Sequence, residues 1–175
     1  MSEFSRPVPL DTIGAGAREI IVSAKPAELA ALATRFGWQE AQAVEAQARV
    51  AKVAGGVEAR GTVEARIVQS CVVTGAPVTE SIAEPFTIRF VEQLAESGEE
   101  EVELAAGDLD TLPIEGGAID LGEAVAQTVA LAAEPFPKTP GADDRLREAG
   151  VLTEEEARQQ SSPFAQLKGL LDGKS

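Results

Sequence analysis

The chain has 175 residues, 44% of them apolar and only 4% aromatic, and a net charge of −14. That is enough apolar material for one domain with a tail, which excludes wholesale disorder, and packing rests on Ala, Val, Leu and Ile. No stretch approaches the roughly 18 apolar residues of a membrane span, "MSEFSRPVPL" holds no signal-length run, and one cysteine excludes an internal disulfide, so a cytoplasmic protein is expected.

Residues 1 to 23 read as one or two short strands, with "REIIVSA" the clearer. A helix is predicted from about 26 to 36. Pro26 suits its first turn, Leu29, Leu32 and Phe36 share a face, and Gly37 supplies the stop. Residues 41 to 54 have the composition of a helix, yet Val44, Ala46, Ala48 and Val50 alternate with Glu45, Gln47 and Arg49. The next segment alternates more plainly. Val57, Ala59, Val63, Ala65 and Ile67 face one way, and Glu58, Arg60, Thr62, Glu64 and Arg66 face the other. Two alternating segments around Gly55 and Gly56 predict a hairpin, so both are read as strands. After a turn at 72–77, Val78, Ile82, Phe86, Ile88 and Phe90 share one parity, with Pro85 placed at an edge or bulge. Residues 41 to 91 thus predict a three-stranded antiparallel meander.

Between Arg89 and Lys138 there is no Lys or Arg but there are twelve acids, while the rest of the chain, with seventeen acids and fifteen bases, is close to neutral. The acidic stretch at 94–117 is expected to be loop, with at most a short strand at 101–104. It would repel a phosphate backbone, and it would attract a basic protein or simply stay solvated. "IDLGEAVAQTVALAAEP" is the second helix. Asp120 is its N-cap and Glu123 completes a capping box; Leu121, Val125, Thr128, Val129 and Ala132 form the buried stripe, and Pro135 ends it. Beyond Pro137 the chain turns polar and loses periodicity, so the domain is drawn at 1–142 and a loosely held tail at 143–175. The tail carries a short helix at 154–160, capped by Thr153 and Glu156. A last segment, "SPFAQLKGLL", has Phe164, Leu167, Leu170 and Leu171 along one side.

The chain has no histidine, which removes the commonest general base and zinc ligand and any Ser-His or Cys-His nucleophile. Cys71 has the parity of the packed sheet face and is expected to be a small buried hydrophobe with a raised pKa. Glu99, Glu100 and Glu101 lack the spacing of a calcium loop. The Gly pairs at 55–56 and 116–117, and "IGAGAREI", match no phosphate loop. Arg49, Lys52, Arg60 and Arg66 could gather on one sheet face. With Glu45, Glu58 and Glu64 interleaved, they are a weak signal for nucleic acid.

Three pieces of the chain, in order, resemble the YceD family of large ribosomal RNA subunit accumulation proteins. They are "ARIVQSCVVTGAPVTESIAEPF", "IDLGEAVAQTVALAAEPFPKTPG" and the terminal "SPFAQLKGLL"; "EFSRPVPLDTI" and "ALATRFGW" resemble its alphaproteobacterial branch. The turn in many relatives reads Cys-x-x-Cys. Here Thr74 stands in place of the second cysteine, and the Cys or His that some relatives carry after the second helix is missing from "KTPGADDR". One thiolate without histidine cannot build a tetrahedral zinc site, so a plain, metal-free hairpin is expected.

The fold expected is α+β, an antiparallel meander packed with two to three helices and followed by a short helical tail. The resemblance implies a non-catalytic ribosome-biogenesis factor supporting synthesis, processing or stability of large-subunit ribosomal RNA, without a cofactor. Its partner would be that RNA or a ribosomal or assembly protein, and the charge favours a basic partner. The alternatives are an acidic module that binds a basic ribosomal protein and, third, a carboxylate-dependent hydrolase using Glu99–Glu101. Asp120 of the Ile-Asp-Leu motif, with Phe164, Leu167, Leu170 and Leu171, are the candidate interaction residues.

Overall fold

The computed structural model of the chain describes residues 3–14, 16–92 and 110–151. The elements run β1 (Pro7–Pro9), a 3-10 turn (Leu10–Thr12), β2 (Arg18–Ser23), α1 (Pro26–Phe36), β3 (Glu40–Val53), β4 (Gly56–Ser70) and β5 (Pro77–Glu92). They continue with β6 (Asp110–Ile114), β7 (Ala118–Asp120), α2 (Leu121–Ala132) and α3 (Ala142–Glu148).

The predicted meander is the centre of a five-stranded sheet of order β2-β3-β4-β5-β6. Residues 41–54, ambiguous by composition, are strand, because their side-chain period of two fits a half-buried sheet and outweighs helix propensity. Val44, Ala46, Ala48 and Val50 on β3 are buried, as are Val57, Ala59, Val63, Ala65 and Ile67 on β4. Ile82, Phe86, Ile88 and Phe90 complete this inner face on β5. Pro85 sits opposite Thr62, outside the Ile88–Glu92 stretch that pairs with β6, so its missing N–H interrupts no ladder there.

Helix α1 packs on β3. Pro26 occupies its first turn, and the Glu28 carboxylate accepts the Lys25 N–H at 2.7 Å. Gly37, at φ 72°, closes it in the left-handed conformation glycine tolerates. Helix α2 lies against β4 and β5 and buries Leu121, Ala124, Val125, Ala126 and Val129, while Thr128 and Ala132 are half-buried at the margin of the stripe. β1 and β7 form a separate two-stranded ribbon with Val8 opposite Ile119, which brings the fully buried Phe4 into the core.

Residues 110–114, expected as loop, form β6, and the residues just before the predicted second helix form β7. β6 runs parallel to the end of β5, half-burying Leu112 and Ile114; five residues including Pro113 are too few to show a period. α3 also stands where the sequence shows no apolar face. Only Ala142 in it is buried, and Arg145 and Arg147 close its last turn against the helix dipole. The expected strand at 101–104, the Glu99–Glu101 run, the helix at 154–160 and the segment with Phe164, Leu167, Leu170 and Leu171 lie outside the described residues.

Candidate interaction surfaces

Asp120 carries the N-terminal end of α2. Its Oδ1 accepts the N–H groups of Gly122 and Glu123, each at 3.1 Å, and that of Arg6 at 2.8 Å, while Oδ2 accepts the Ser5 hydroxyl at 2.6 Å. Its carboxylate therefore caps the helix and fastens the N-terminal segment to it. Two bidentate pairs surround the cap. Arg6 grips Glu28 at 2.8 and 2.7 Å, and Arg35 grips Glu123 at 2.8 and 2.7 Å while also reaching Glu3 at 3.0 Å. The Arg6 guanidinium, followed by the Lys25 N–H, holds the Glu28 carboxyl down to about 2. The hydrogen bond to Glu123 raises Arg35.

Beyond the C-terminal end of α2 the chain returns to the β4–β5 turn. The Val72 N–H donates to Pro137 O at 2.9 Å, Gln69 Nε2 to Glu134 O at 3.0 Å, and the Glu134 N–H to Glu80 Oε1 at 3.1 Å. Cys71 lies beneath this junction, only 3% exposed and outside the main core cluster. Thr139 donates to its Sγ twice, from the main-chain N–H at 3.4 Å and from the hydroxyl at 3.5 Å. Thr74, in the second-cysteine position, is 3.5 Å from the Thr139 hydroxyl and accepts the Ala76 N–H. The Thr139 and Thr74 hydroxyls outweigh burial and lower the Cys71 thiol to about 6. This corrects the expectation of a raised value. Burial still opposes the thiolate but is outweighed by donors, the first of which, Thr139, is 68 residues away in the chain.

Around this junction Val72 is 53%, Phe136 69% and Leu131 80% exposed, which are high values for large apolar side chains. Among the described residues no group of three or more His, Cys, Asp or Glu is arranged to hold a metal ion. An open cleft of about 990 Å³ at the opposite end of the sheet is mostly apolar, lined by Leu10, Val53, Val57, Leu112, Pro113 and Ile114 among others. The outer sheet face presents Arg49, Arg60 and Arg66, as the alternation predicts. Lys52 belongs to the other parity and is not part of that group.

A family model described as "Large ribosomal RNA subunit accumulation protein YceD" matches residues 59–171. The chain belongs to the YceD family. The matched region opens in β4 and takes in the Cys71 turn, β5, α2, the Thr139 junction and the tail. No curated protein and no solved structure matches the chain. The YceD description names an accumulation protein of the large ribosomal RNA subunit and no enzymatic activity. Among the described residues no helix is long and apolar enough to cross a membrane.

Proposed function

We propose that this YceD protein is a non-catalytic, cytoplasmic ribosome-biogenesis factor that sustains synthesis, processing or stability of large-subunit ribosomal RNA. The observation that carries this reading is the family match across residues 59–171. Two features favour action through a protein partner over direct RNA contact. The chain carries a net −14 with its acids massed between Arg89 and Lys138, and a phosphate backbone is repelled by such a field. The matched region also leaves Val72, Leu131 and Phe136 exposed at one end of α2, and exposed apolar side chains in a polar surround mark protein contacts. The partner is then a basic ribosomal or assembly protein. Asp120 serves this surface by positioning α2, and Phe164, Leu167, Leu170 and Leu171 supply a second apolar contact with helical spacing.

Affinity purification from cells, with and without nuclease, tests the reading. A basic ribosomal protein retained after nuclease treatment and lost on Phe136→Glu is the expected result. Loss of every partner on RNA digestion would overturn the protein-mediated route in favour of direct RNA contact.

A further inference from the structure

The outer face of β3 and β4 repeats its charges in an order that reads the same, with sign reversed, from either end. Along β4 the outward positions are Glu58, Arg60, Thr62, Glu64 and Arg66, giving the order minus, plus, zero, minus, plus. Beside them on β3, Glu45 is opposite Glu64, Gln47 is opposite Thr62 and Arg49 is opposite Arg60. Like charges directly across a strand pair destabilise a sheet, and this face has one such pair of each sign. Glu45, Arg49, Glu64 and Arg66 form no ion pair among the described residues, and Arg60 has only the exposed contact with Glu58 at 3.2 Å. Three acids balance three arginines here, on a chain whose net charge is −14.

A two-fold axis laid along the Gln47–Thr62 row turns every one of these charges onto its opposite. Arg60 of one copy then faces Glu64 of the other, Arg49 faces Glu45, and Glu58 faces Arg66. The uncharged row on the axis continues onto β2, where Ile21 pairs with Gln47 and is 66% exposed. The axis sets Ile21 against its own copy, which gives an isolated apolar side chain a partner. Sheets packed face to face stand about 10 Å apart with strands within about 30° of alignment, a gap that Arg and Glu side chains bridge.

We propose that the outer face of β3 and β4 is a homodimer interface, self-complementary about the Gln47–Thr62 row and occupied by a second copy of this chain. Four strands at the usual spacing, over five outward rows, cover roughly 20 by 30 Å, so about 1,200 Å² is buried over both copies. That lies at the lower end for specific association, so the dimer is weak and reversible, and the long-range repulsion of two acidic chains weakens it further.

Sedimentation across a concentration series tests this with two charge reversals. Wild type self-associates to a dimer, whereas Arg60→Glu and Glu64→Arg are each monomeric because they set like charges against each other twice per dimer. An equimolar mixture of the two variants forms a heterodimer, since each substituted side chain then faces one of opposite sign. Misfolding does not explain such a pattern. Each reversal removes a like-charge pair across the strands but also sets a like charge beside Glu58 or Arg66 on β4, so a melt of each variant at dilute concentration shows that it is folded. A wild type that stays monomeric at high concentration, a dimer indifferent to both reversals, or a mixture that stays monomeric would overturn the proposal.

Discussion

The first turn of α2 is braced by bidentate ion pairs, whereas the chain just past its last turn is held by main-chain and amide hydrogen bonds, the Glu80 carboxylate, and a sulfur that two hydroxyls flank. At the first turn Asp120 accepts four hydrogen bonds, and Arg6–Glu28 and Arg35–Glu123 brace it on either side. At the other end Cys71 receives Thr139, with Thr74 at its rim, and the nearest ion pair, Lys138–Asp143, is an exposed one that touches neither residue. The distinctive group at the first end is the Glu28 carboxyl, held low by Arg6, and at the second it is the Cys71 thiol, lowered toward neutrality by Thr139 and Thr74. The Arg–Glu pairs are partly exposed, so their contribution is modest and screened by salt; the capping bonds are short-range and are not.

The largest expected effect comes from removing Asp120. Asp120→Ala deletes the helix cap, about 1–2 kcal/mol, and leaves the part-buried Arg6 N–H without its acceptor, about 1–3 kcal/mol. Denaturant melts should show the combined loss with an unchanged slope, and a loss below about 0.5 kcal/mol would mean that the cap is dispensable.

Next in size is Gly122→Ala, which tests the same end with the opposite naive sign. In an exposed helix interior this change stabilises by up to about 1 kcal/mol. Here a Cβ would lie 2.3 Å from Phe4 O and 2.9 Å from the Arg6 N atom, both main-chain atoms. The N-terminal segment has to move, so a destabilisation of about 1–3 kcal/mol is expected. Stabilisation would show that this segment is not seated on α2.

These two positions also mark what the sequence disclosed and what it withheld. The strands were readable because period-two alternation survives over fourteen to sixteen residues in β3, β4 and β5. Helix α2 was readable because Asp120 and Pro135 bracket it. The closeness of Gly122 to Phe4 was not readable, since it joins residues far apart in the chain through a ribbon of two three-residue strands, one of which, β1, begins and ends with proline. β6 escaped for the same reason of length. At the other end, Cys71 revealed its burial through parity but not its main donor, Thr139, which arrives from beyond α2.

A smaller effect sharpens the acid side of the comparison. Glu28 is held near 2 by Arg6, below the ordinary carboxylate value, so its ion pair stabilises the folded chain fully above that ordinary value and is lost as pH falls toward 2. Glu28→Gln should therefore melt below wild type at neutral pH and converge with it in acid. A gap that widens in acid would reverse the assignment.

The smallest effect belongs to Cys71. With the folded thiol near 6 and an unfolded thiol near its usual alkaline value, the folded state binds fewer protons between the two. Wild-type stability should rise with pH across that window relative to Cys71→Ser, and the two should differ least below it. Thiolate absorbance gives the same answer directly: half-ionisation near 6 is expected, and Thr139→Val should return it toward the ordinary thiol range. An ordinary value in the wild type would mean that Thr139 does not donate to the sulfur.

The central functional claim is that this YceD protein sustains the accumulation of large-subunit ribosomal RNA. The most direct measurement is the ratio of large- to small-subunit ribosomal RNA in cells depleted of the chain, restored by a plasmid copy. Depletion is expected to lower that ratio and the wild-type chain to restore it, with weaker recovery from Phe136→Glu. Equal loss of both RNAs, or no change in either, would contradict it.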